Sequence, residues 1–215
     1  MKIFVPIKHN SQRVPQKNFR TFKGEPLYKH SLLKYRGLEV YVDTDSDEIY
    51  ESINSDSRLS NVSVFMRDEK LVGDSISVCD LILNFIKKYN VTVPIAQVHV
   101  TSPFLNASII KDAYKYMSKH DSVISCNTYN SRFWRKEKYG FCPVNHNPLK
   151  LEQTQDLPII YEENSAFYIF KPSVVLSTSS RIGQNPYFYS ISKPYNMDID
   201  TESDWEDVLK EADNK

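Results

Sequence analysis

The 215-residue chain is long enough for one domain with a sizeable core, since 40% of its residues are hydrophobic. Its 27 basic and 27 acidic side chains balance, so the net charge gives no support for a nucleic-acid or membrane partner, and any anion must be bound by locally placed cations. The three cysteines lack metal-ligand spacing, and no apolar run suits a signal peptide or a membrane span, so we expect a reduced, cytoplasmic protein.

Short apolar runs alternate with amphipathic segments along the chain. Strands are predicted over residues 3–7, 39–42, 62–66, 93–100, 122–126 and 166–171. Helices are predicted over residues 24–34, 74–89, 106–119 and 202–212, and a further helix is predicted to follow Asp43–Ser46, which supplies its N-cap. Because strands and helices alternate, we predict a Rossmann-like, three-layer α/β sandwich with a mostly parallel sheet, in a single domain over residues 1–215.

The pattern loosens between Asn127 and Pro158, a stretch rich in aromatic, basic, Asn and Pro residues. This segment of residues 127–158 either protrudes as a small lobe or packs as a loop on its own domain. If it protrudes, its aromatic residues would supply the apolar contacts of an interface. These residues are Phe133, Trp134, Tyr139 and Phe141.

Polar segments follow several of the predicted strands. Lys8 comes after the first strand, Asp43 after the second, Arg67 after the third and Thr101 after the fourth. In an open parallel sheet the ligand site lies at the carboxyl ends of the strands, so these segments are expected to meet at one edge.

The basic loop from Lys8 to Asn18 directly follows the first strand and contains Lys8, Arg13 and Lys17. Such a loop can offer backbone N–H groups and positive side chains to a polyphosphate. It is not a P-loop, because the glycines and the final Gly-Lys-Ser/Thr of that motif are absent. The alternative is a solvated surface loop with scattered basic residues.

Asp198 and Asp200 occupy alternate positions near the end of the chain. If the segment is extended, both carboxylates project to the same side, which suits a hard cation shared with substrate phosphates. The alternative is helix capping by Asp200 or Thr201, with acidic residues in the first helical turn.

Three further segments carry polar groups in patterns that are, individually, more typical of structural roles. Glu163–Tyr168 is a polar turn that leads into a strand, and Arg67 with Asp74 suits a surface ion pair. His99–Phe104 suits a core histidine followed by a capped helix start.

Taken in order, these segments resemble those of the CMP-sugar synthetases, which comprise the acylneuraminate cytidylyltransferases and the related KDO cytidylyltransferases. The matching segments are Lys8–Asn18, Gly24–Leu27, Val42–Ile49, Arg67–Asp74, Thr101–Pro103, Gln155–Pro158, Glu163–Ile169 and Asp198–Trp205. Each motif alone is modest, so the resemblance depends on their shared order and spacing over almost the whole chain.

The resemblance implies transfer of CMP from CTP to the anomeric hydroxyl of an acidic keto sugar, such as sialic, legionaminic or pseudaminic acid or KDO, with release of pyrophosphate. It also implies a homodimer in which residues 127–158 form a dimerisation lobe. The residues that it places at the nucleotide are Lys8, Asn10, Ser11, Arg13, Lys17, Asn18, Arg67 and Asp74. It places Arg13, Lys17 and Asp200 in catalysis, Asp198 and Asp200 on Mg²⁺ or Mn²⁺, and His99, Thr101, Asn164 and Tyr168 at the acceptor.

Several positions depart from the family's patterns. Lys8 stands for the loop Arg, which keeps the charge but loses the bidentate guanidinium, and Gln12 stands for a loop Lys. His99 replaces a Gln, Leu105 replaces a frequent Arg, and Ser165 replaces a Gly. The changes at His99 and Leu105 bear on the acceptor more than on CTP.

Three alternatives follow from these departures and from the other acidic motif. The first is a cytidylyltransferase for a phosphonate or another small anionic acceptor. The second is a GT-A glycosyltransferase, in which Asp43–Asp45 would be the metal motif, although the basic loop suits a triphosphate better. The third is a nucleotide-binding relative without catalysis, which Lys8, Gln12 and His99 would explain.

Overall fold

The computed structural model describes residues 1–214, which form eleven strands and six α-helices within that range. The strands are β1 (Lys2–Ile7), β2 (Thr21–Phe22), β3 (Glu25–Pro26), β4 (Val40–Thr44), β5 (Val62–Met66), β6 (Ile95–Val98), β7 (Ser122–Tyr129), β8 (Trp134–Glu137), β9 (Gly140–Pro143), β10 (Ile160–Phe170) and β11 (Pro186–Ser190). The helices are α1 (Leu27–Leu33), α2 (Asp47–Asn54), α3 (Val78–Tyr89), α4 (Ala107–Tyr114), α5 (Pro172–Thr178) and α6 (Glu202–Asp213).

A seven-stranded sheet with the order β11-β7-β10-β6-β1-β4-β5 forms the centre of the fold. β1 is parallel to β4 and β6, β4 is parallel to β5, and β11 is parallel to β7. β10 is antiparallel to both of its neighbours, β6 and β7. The prediction of a mostly parallel sheet is therefore confirmed, with one reversed strand inside it.

Helices cover both faces of the sheet. Successive side chains of a strand point to opposite faces, so neighbouring residues of one strand pack against different helices. Ile3 and Val5 of β1 are buried in a cluster with residues of α1, α2 and α4. Phe4, between them, is buried in a second cluster with residues of α3 and α5. The predicted three-layer α/β sandwich is thus confirmed.

A third buried cluster packs α6 against the loop that follows β1. Its members are Val14, Phe22, Leu27, Phe104, Ile199, Trp205, Val208 and Ala212. Because Val14 lies in the middle of the basic loop, this cluster anchors that loop to the segment that carries Asp198 and Asp200.

Several element boundaries differ from prediction, including the starts of α3 and β10. The helix expected from Asp74 begins at Val78, because Ser77 is its N-cap and forms a capping box with Asp80. The strand expected from Ala166 begins at Ile160, since its first half pairs with the extended end of β7. Helix α5 and strand β11 were not predicted, and the chain enters α5 through Pro172, the first residue of the helix.

The segment of residues 127–158 contains an exposed hairpin, in which β8 and β9 pair with each other and not with the main sheet. The Asn145 side chain ties its base together by accepting from the Phe133 N–H and donating to the carbonyls of Ser131 and Pro158. Beyond this base, Tyr139 is 89% exposed and Phe141 is 69% exposed. No helix in the described part of the chain has the length and apolar character needed to cross a bilayer.

Candidate active site

The carboxyl ends of β1 and β6 border a cleft of about 260 Å³. Its lining residues are Pro6, Lys8, Asn10, Ser11, Gln12, Arg13, Lys17, Asn18, Asp74, His99, Val100 and Thr101. The structure therefore brings together the basic loop and the segment after β6, which are far apart in sequence but follow adjacent strands.

The basic loop is held in shape by contacts at both ends. The Asn18 side-chain amide donates to the Lys8 carbonyl at 2.7 Å, which joins the end of the loop to its beginning. Val14 is fully buried, so the neighbouring Arg13 side chain is directed outward, where it is largely exposed. Gln16 takes a left-handed backbone conformation (φ 55°), and the short helical turn Lys17–Phe19 follows it. The cations thus sit on an ordered loop.

Arg13 and Lys17 both lie against Asp200. The Arg13 guanidinium donates to Oδ1 of Asp200 at 2.7 Å, and the Lys17 ammonium is 4.0 Å from the same oxygen. Lys17 also donates to the carbonyl of Ile199. Burial lowers the pKa of Lys17, although Asp198 and Asp200 oppose this shift. The loop cations and the carboxylates therefore form one electrostatic unit.

The segment that carries the two carboxylates is fixed between the loop and the end of β6. The Ile199 N–H donates to the Thr101 carbonyl at 3.0 Å, and Ile199 itself is fully buried. Asp198 accepts from the Ser102 hydroxyl at 3.3 Å. Burial raises the pKa of Asp198, and the negative charge of Asp200 adds to the rise. A divalent cation beside both carboxylates would favour their ionised forms, so the donor set fits a hard metal ion.

Two carboxylates are a sparse ligand set. Within residues 1–214, no group of three or more His, Cys, Asp or Glu side chains converges as metal ligands. Mg²⁺ is usually held in this way, by one or two carboxylates together with water and substrate phosphates. The arrangement at Asp198 and Asp200 therefore suits a metal that arrives with the nucleotide.

Helix capping and the carboxylate pair use different residues of the same segment. Thr201 is the N-cap of α6, and it forms a capping box with Asp204. Asp200 contributes only its backbone N–H, which donates to Asp204. The carboxylates of Asp198 and Asp200 are not needed for the cap and face other partners.

The rim of the cleft is closed by a contact between the basic loop and the loop before α3. Asp74 accepts from the Lys8 ammonium at 3.2 Å and from the Gln12 amide at 2.6 Å. The Gly73 carbonyl also accepts from Lys8, at 3.3 Å. Asp74, which was expected near the nucleotide, thus lies on the cleft because the helix begins after it.

Arg67 lies behind the cleft and is not among its lining residues. Its guanidinium pairs with the fully buried Asp43 at 2.5 Å and lies 3.5 Å from the Asp45 carboxylate. Asp45 in turn accepts from the backbone N–H of His9. Because protein groups engage both carboxylates, Asp43–Asp45 does not resemble the open metal motif that a GT-A glycosyltransferase would need. The expected contact of Arg67 with the cytidine part stays a prediction.

The four residues expected at the acceptor fall into two groups. His99 and Thr101 line the cleft. Asn164 instead donates to Asn127, which also accepts from Asn196. Tyr168 is almost fully buried, and its hydroxyl donates to Glu163. Only the first pair therefore shares the cleft with the basic loop.

Two polar residues behind His99 were missed from the sequence. The Arg181 guanidinium donates to Oε1 of Gln97, and the Gln97 amide nitrogen lies 2.8 Å from Nε2 of His99. Gln97 could have been found, because it lies two residues before His99 in the strand predicted over residues 93–100, where alternate side chains share a face. Arg181 comes from a loop after α5 whose position depends on the whole fold, and no local pattern indicates it.

A sheet with a basic loop at its carboxyl edge and paired carboxylates beside that loop defines a nucleotide-binding α/β protein of the nucleotidyltransferase class. The profile of one family, described as cytidylyltransferase, matches residues 3–214. The chain therefore belongs to the cytidylyltransferase family.

Sequence relatives agree with this membership. The chain is 27% identical to an N-acylneuraminate cytidylyltransferase of Streptococcus agalactiae over 95% of its own length and 51% of the relative's. It thus spans about half the length of that relative. It is also 27% identical to the CMP-N,N'-diacetyllegionaminic acid synthase of Legionella pneumophila, over 94% of this chain and 91% of the synthase. A solved CMP:2-keto-3-deoxy-manno-octonic acid synthetase complexed with CTP shares the fold, with a TM-score of 0.66, 14% identity and coverage of 97% and 96% of the two chains.

Proposed function

We propose that this protein transfers CMP from CTP to an acidic keto sugar and releases pyrophosphate. The observation that carries the proposal is the contact between Arg13 and Asp200, which joins the basic loop to the carboxylates. A polyphosphate needs the cations, and a metal that accompanies it needs the carboxylates. Family membership and the names of the relatives support CTP and an acidic sugar of the sialic acid type as substrates.

In this proposal the basic loop holds the triphosphate. Lys8, Ser11, Arg13 and Lys17 line the cleft together and supply positive charge and a hydroxyl donor. Asn10 and Asn18 add amide groups at the same place. The anomeric hydroxyl attacks the α-phosphorus in line, and the bond to pyrophosphate breaks as the new bond forms. Arg13 and Lys17 then stabilise the negative charge that grows on the leaving pyrophosphate.

Asp198 and Asp200 would hold a divalent cation, Mg²⁺ or Mn²⁺. When bound, this ion would neutralise phosphate charge and help to orient the α-phosphate. Of the two carboxylates, Asp200 is 47% exposed, whereas Asp198 is more deeply placed and bonded to Ser102. We assign Asp200 as the carboxylate that also accepts the proton of the attacking hydroxyl, because it is the more accessible of the two.

The acceptor would lie beside His99 and Thr101, opposite the loop. Asn164 and Tyr168 would come near it from β10, where Ser165 has a left-handed backbone conformation (φ 58°). Arg67 and Asp74 would support the cytidine part from the β5 side. All six positions come from the family resemblance, and the cleft gives direct support to His99, Thr101 and Asp74.

We propose that the protein acts in the cytoplasm as a homodimer. The exposed aromatic side chains of residues 127–158 support an interface formed by this lobe, since exposed apolar groups concentrated on one projection mark protein contacts. Leu149 and Leu151, both more than 90% exposed, add to the same surface. Neither nucleic acid nor membrane is expected as a partner.

The experiment is an assay of pyrophosphate release with Mg²⁺, four nucleoside triphosphates and a panel of sialic, legionaminic and pseudaminic acids and KDO. We expect release with CTP and at least one sugar, and none with ATP, GTP or UTP. CTP binding without release from any sugar would favour a relative without catalysis. A small phosphonate is added as a further acceptor, and release with it but with no sugar would favour the phosphonate acceptor instead.

A further inference from the structure

Behind the cleft, three polar side chains form a chain of hydrogen bonds that ends at His99. Arg181 donates to Oε1 of Gln97, and Nε2 of Gln97 contacts Nε2 of His99 at 2.8 Å. Gln97 is fully buried within β6. The Arg181 guanidinium also lies over the ring of Tyr168, 3.7 Å from its centroid, which fixes it in place. These contacts leave the Gln97 side chain little freedom to turn over.

The donors and acceptors of this chain determine where the proton of His99 lies. A guanidinium can only donate, so the Gln97 atom that faces Arg181 must be the carbonyl oxygen. The Gln97 amide nitrogen must then face His99, and as a donor it requires an unprotonated Nε2 on the ring. A neutral imidazole carries one N–H, so the proton of His99 lies on Nδ1.

The surroundings of His99 keep it neutral. Burial lowers the pKa of His99 to about 4, and the cations of Arg181 and Lys17 act in the same direction. At neutral pH the ring therefore carries a single proton. The tautomer decides which of the two ring nitrogens carries that proton.

We propose that Gln97 and Arg181 are positioning residues that hold His99 as the Nδ1–H tautomer, and that this N–H donates a hydrogen bond to the carboxylate of the acceptor sugar. The two ring nitrogens point in divergent directions, so Nδ1 faces away from Gln97. The contact with Gln97 uses Nε2 and so leaves Nδ1 for another partner, and His99 lines the cleft. The second half of the proposal rests on the proposed function, because it takes the acceptor to be an acidic keto sugar.

The first experiment observes the ring nitrogens of His99 directly and needs no substrate. Protein labelled with ¹⁵N is examined by long-range ¹H–¹⁵N correlation at neutral pH. The chain has five histidines, and a His99→Phe variant identifies the signals that belong to His99. We expect a protonated, pyrrole-like Nδ1 and an unprotonated, pyridine-like Nε2. A protonated Nε2 in the wild-type protein would overturn the proposal.

The second experiment separates the role of Arg181 from simple packing. Arg181→Met removes the donor that orients Gln97, whereas Arg181→Lys keeps a donor at nearly the same length. We expect a mixture of His99 tautomers in the Met variant and the wild-type tautomer in the Lys variant. Equal tautomer populations in all three proteins would show that Arg181 does not act through Gln97.

Steady-state kinetics test the contact with the acceptor, with N-acetylneuraminate and the other sugars of the panel as probes. His99→Phe should raise the KM for the acceptor roughly tenfold, the size of a hydrogen bond to a charged group, and leave the KM for CTP unchanged. Arg181→Met should raise the same KM by less, and Arg181→Lys should restore it.

Two results would contradict the kinetic half. An unchanged acceptor KM in His99→Phe would show that His99 donates no hydrogen bond to the acceptor. A raised acceptor KM in Arg181→Met with an unchanged tautomer would show that Arg181 binds the acceptor itself. If the wild-type protein turns over no sugar, the proposed function and the acceptor contact fail together. The nitrogen signals then still decide whether Gln97 and Arg181 set the tautomer.

Discussion

Arg13 donates to Asp200 at 2.7 Å, although 187 positions separate the two residues in the sequence. The contact joins the loop after the first strand to the segment before the last helix. It also means that each group already has a partner of opposite charge before any ligand binds. A bound triphosphate would compete for Arg13 and release Asp200 toward a cation, so nucleotide and metal should bind with positive coupling.

Asp200→Asn should reduce turnover by about 100-fold or more, since it removes a carboxylate that would hold the divalent cation beside the reacting phosphate. The unfolding temperature should change little, because this side chain is 47% exposed and contributes no side-chain bond to the α6 cap. The measurement pairs a pyrophosphate assay with thermal unfolding. Glu202→Gln is the matched control, since Glu202 lies two residues away and its carboxylate pairs with Arg20 at the surface. Full activity in Asp200→Asn would remove the assignment of this carboxylate.

Arg67→Met should lower the free energy of unfolding by about 3–5 kcal/mol, because it leaves the buried carboxylate of Asp43 without its partner. One oxygen of Asp43 already lacks a hydrogen-bond partner within the described residues, so no second donor there would replace the Arg67 guanidinium. Chemical denaturation measures the change. The exposed pair of Arg135 and Glu137 provides the comparison, and Arg135→Met should cost less than about 1 kcal/mol. Similar losses in both variants would contradict this account.

The stability of the protein should fall as the pH is lowered from about 6.5 to about 4. Burial lowers the pKa of His30 to about 4 from an unfolded value of 6.5, and the pKa of His99 is lowered in the same way. Between these values the unfolded chain binds more protons than the folded one, so acid favours unfolding. Urea midpoints at several pH values test this. His30→Leu should make the dependence shallower, and an unchanged slope in that variant would refute the role of His30.

Phe141→Asp should dissociate the proposed dimer, since it places a charge on the exposed face of the β8–β9 hairpin. Sedimentation at micromolar concentration should show a dimer for the wild-type protein and a monomer for the variant. Leu176→Asp is the matched control, because it places the same charge on an exposed apolar residue of α5, outside residues 127–158. A wild-type monomer would remove the dimer from the proposed function.

Much of the parallel part of the fold could be predicted, because its elements carry strong local patterns. β1, β5 and α4 are bounded by clear polar breaks, and Asn106 caps α4 with its own side chain. The direction of β10 could not be predicted in the same way. Its antiparallel course depends on pairing with β6 and β7, which are distant in sequence, and an apolar run such as Ala166–Phe170 suits either direction.

The candidate site was predictable where its residues follow strand ends, and less so where loops from elsewhere reach in. Lys8 and Thr101 lie on the cleft because β1 and β6 are neighbours in the sheet. The position of Arg181 depends on the folding of the chain after β10, and the contact of Asn164 with Asn127 depends on the pairing of β10 with β7; no short motif specifies either. The buried position of Arg67 could not be predicted either, because a motif gives the residue type and not the carboxylate with which the guanidinium pairs.

The most direct test of the central claim is detection of the product by mass spectrometry after incubation with CTP, Mg²⁺ and each sugar of the panel. We predict that one or more sugars gain the mass of CMP less one water, in wild-type protein and in Glu202→Gln, and that Asp200→Asn forms little of this product. If no sugar is converted by the wild-type protein while CTP remains intact, the chain is not a cytidylyltransferase for acidic keto sugars.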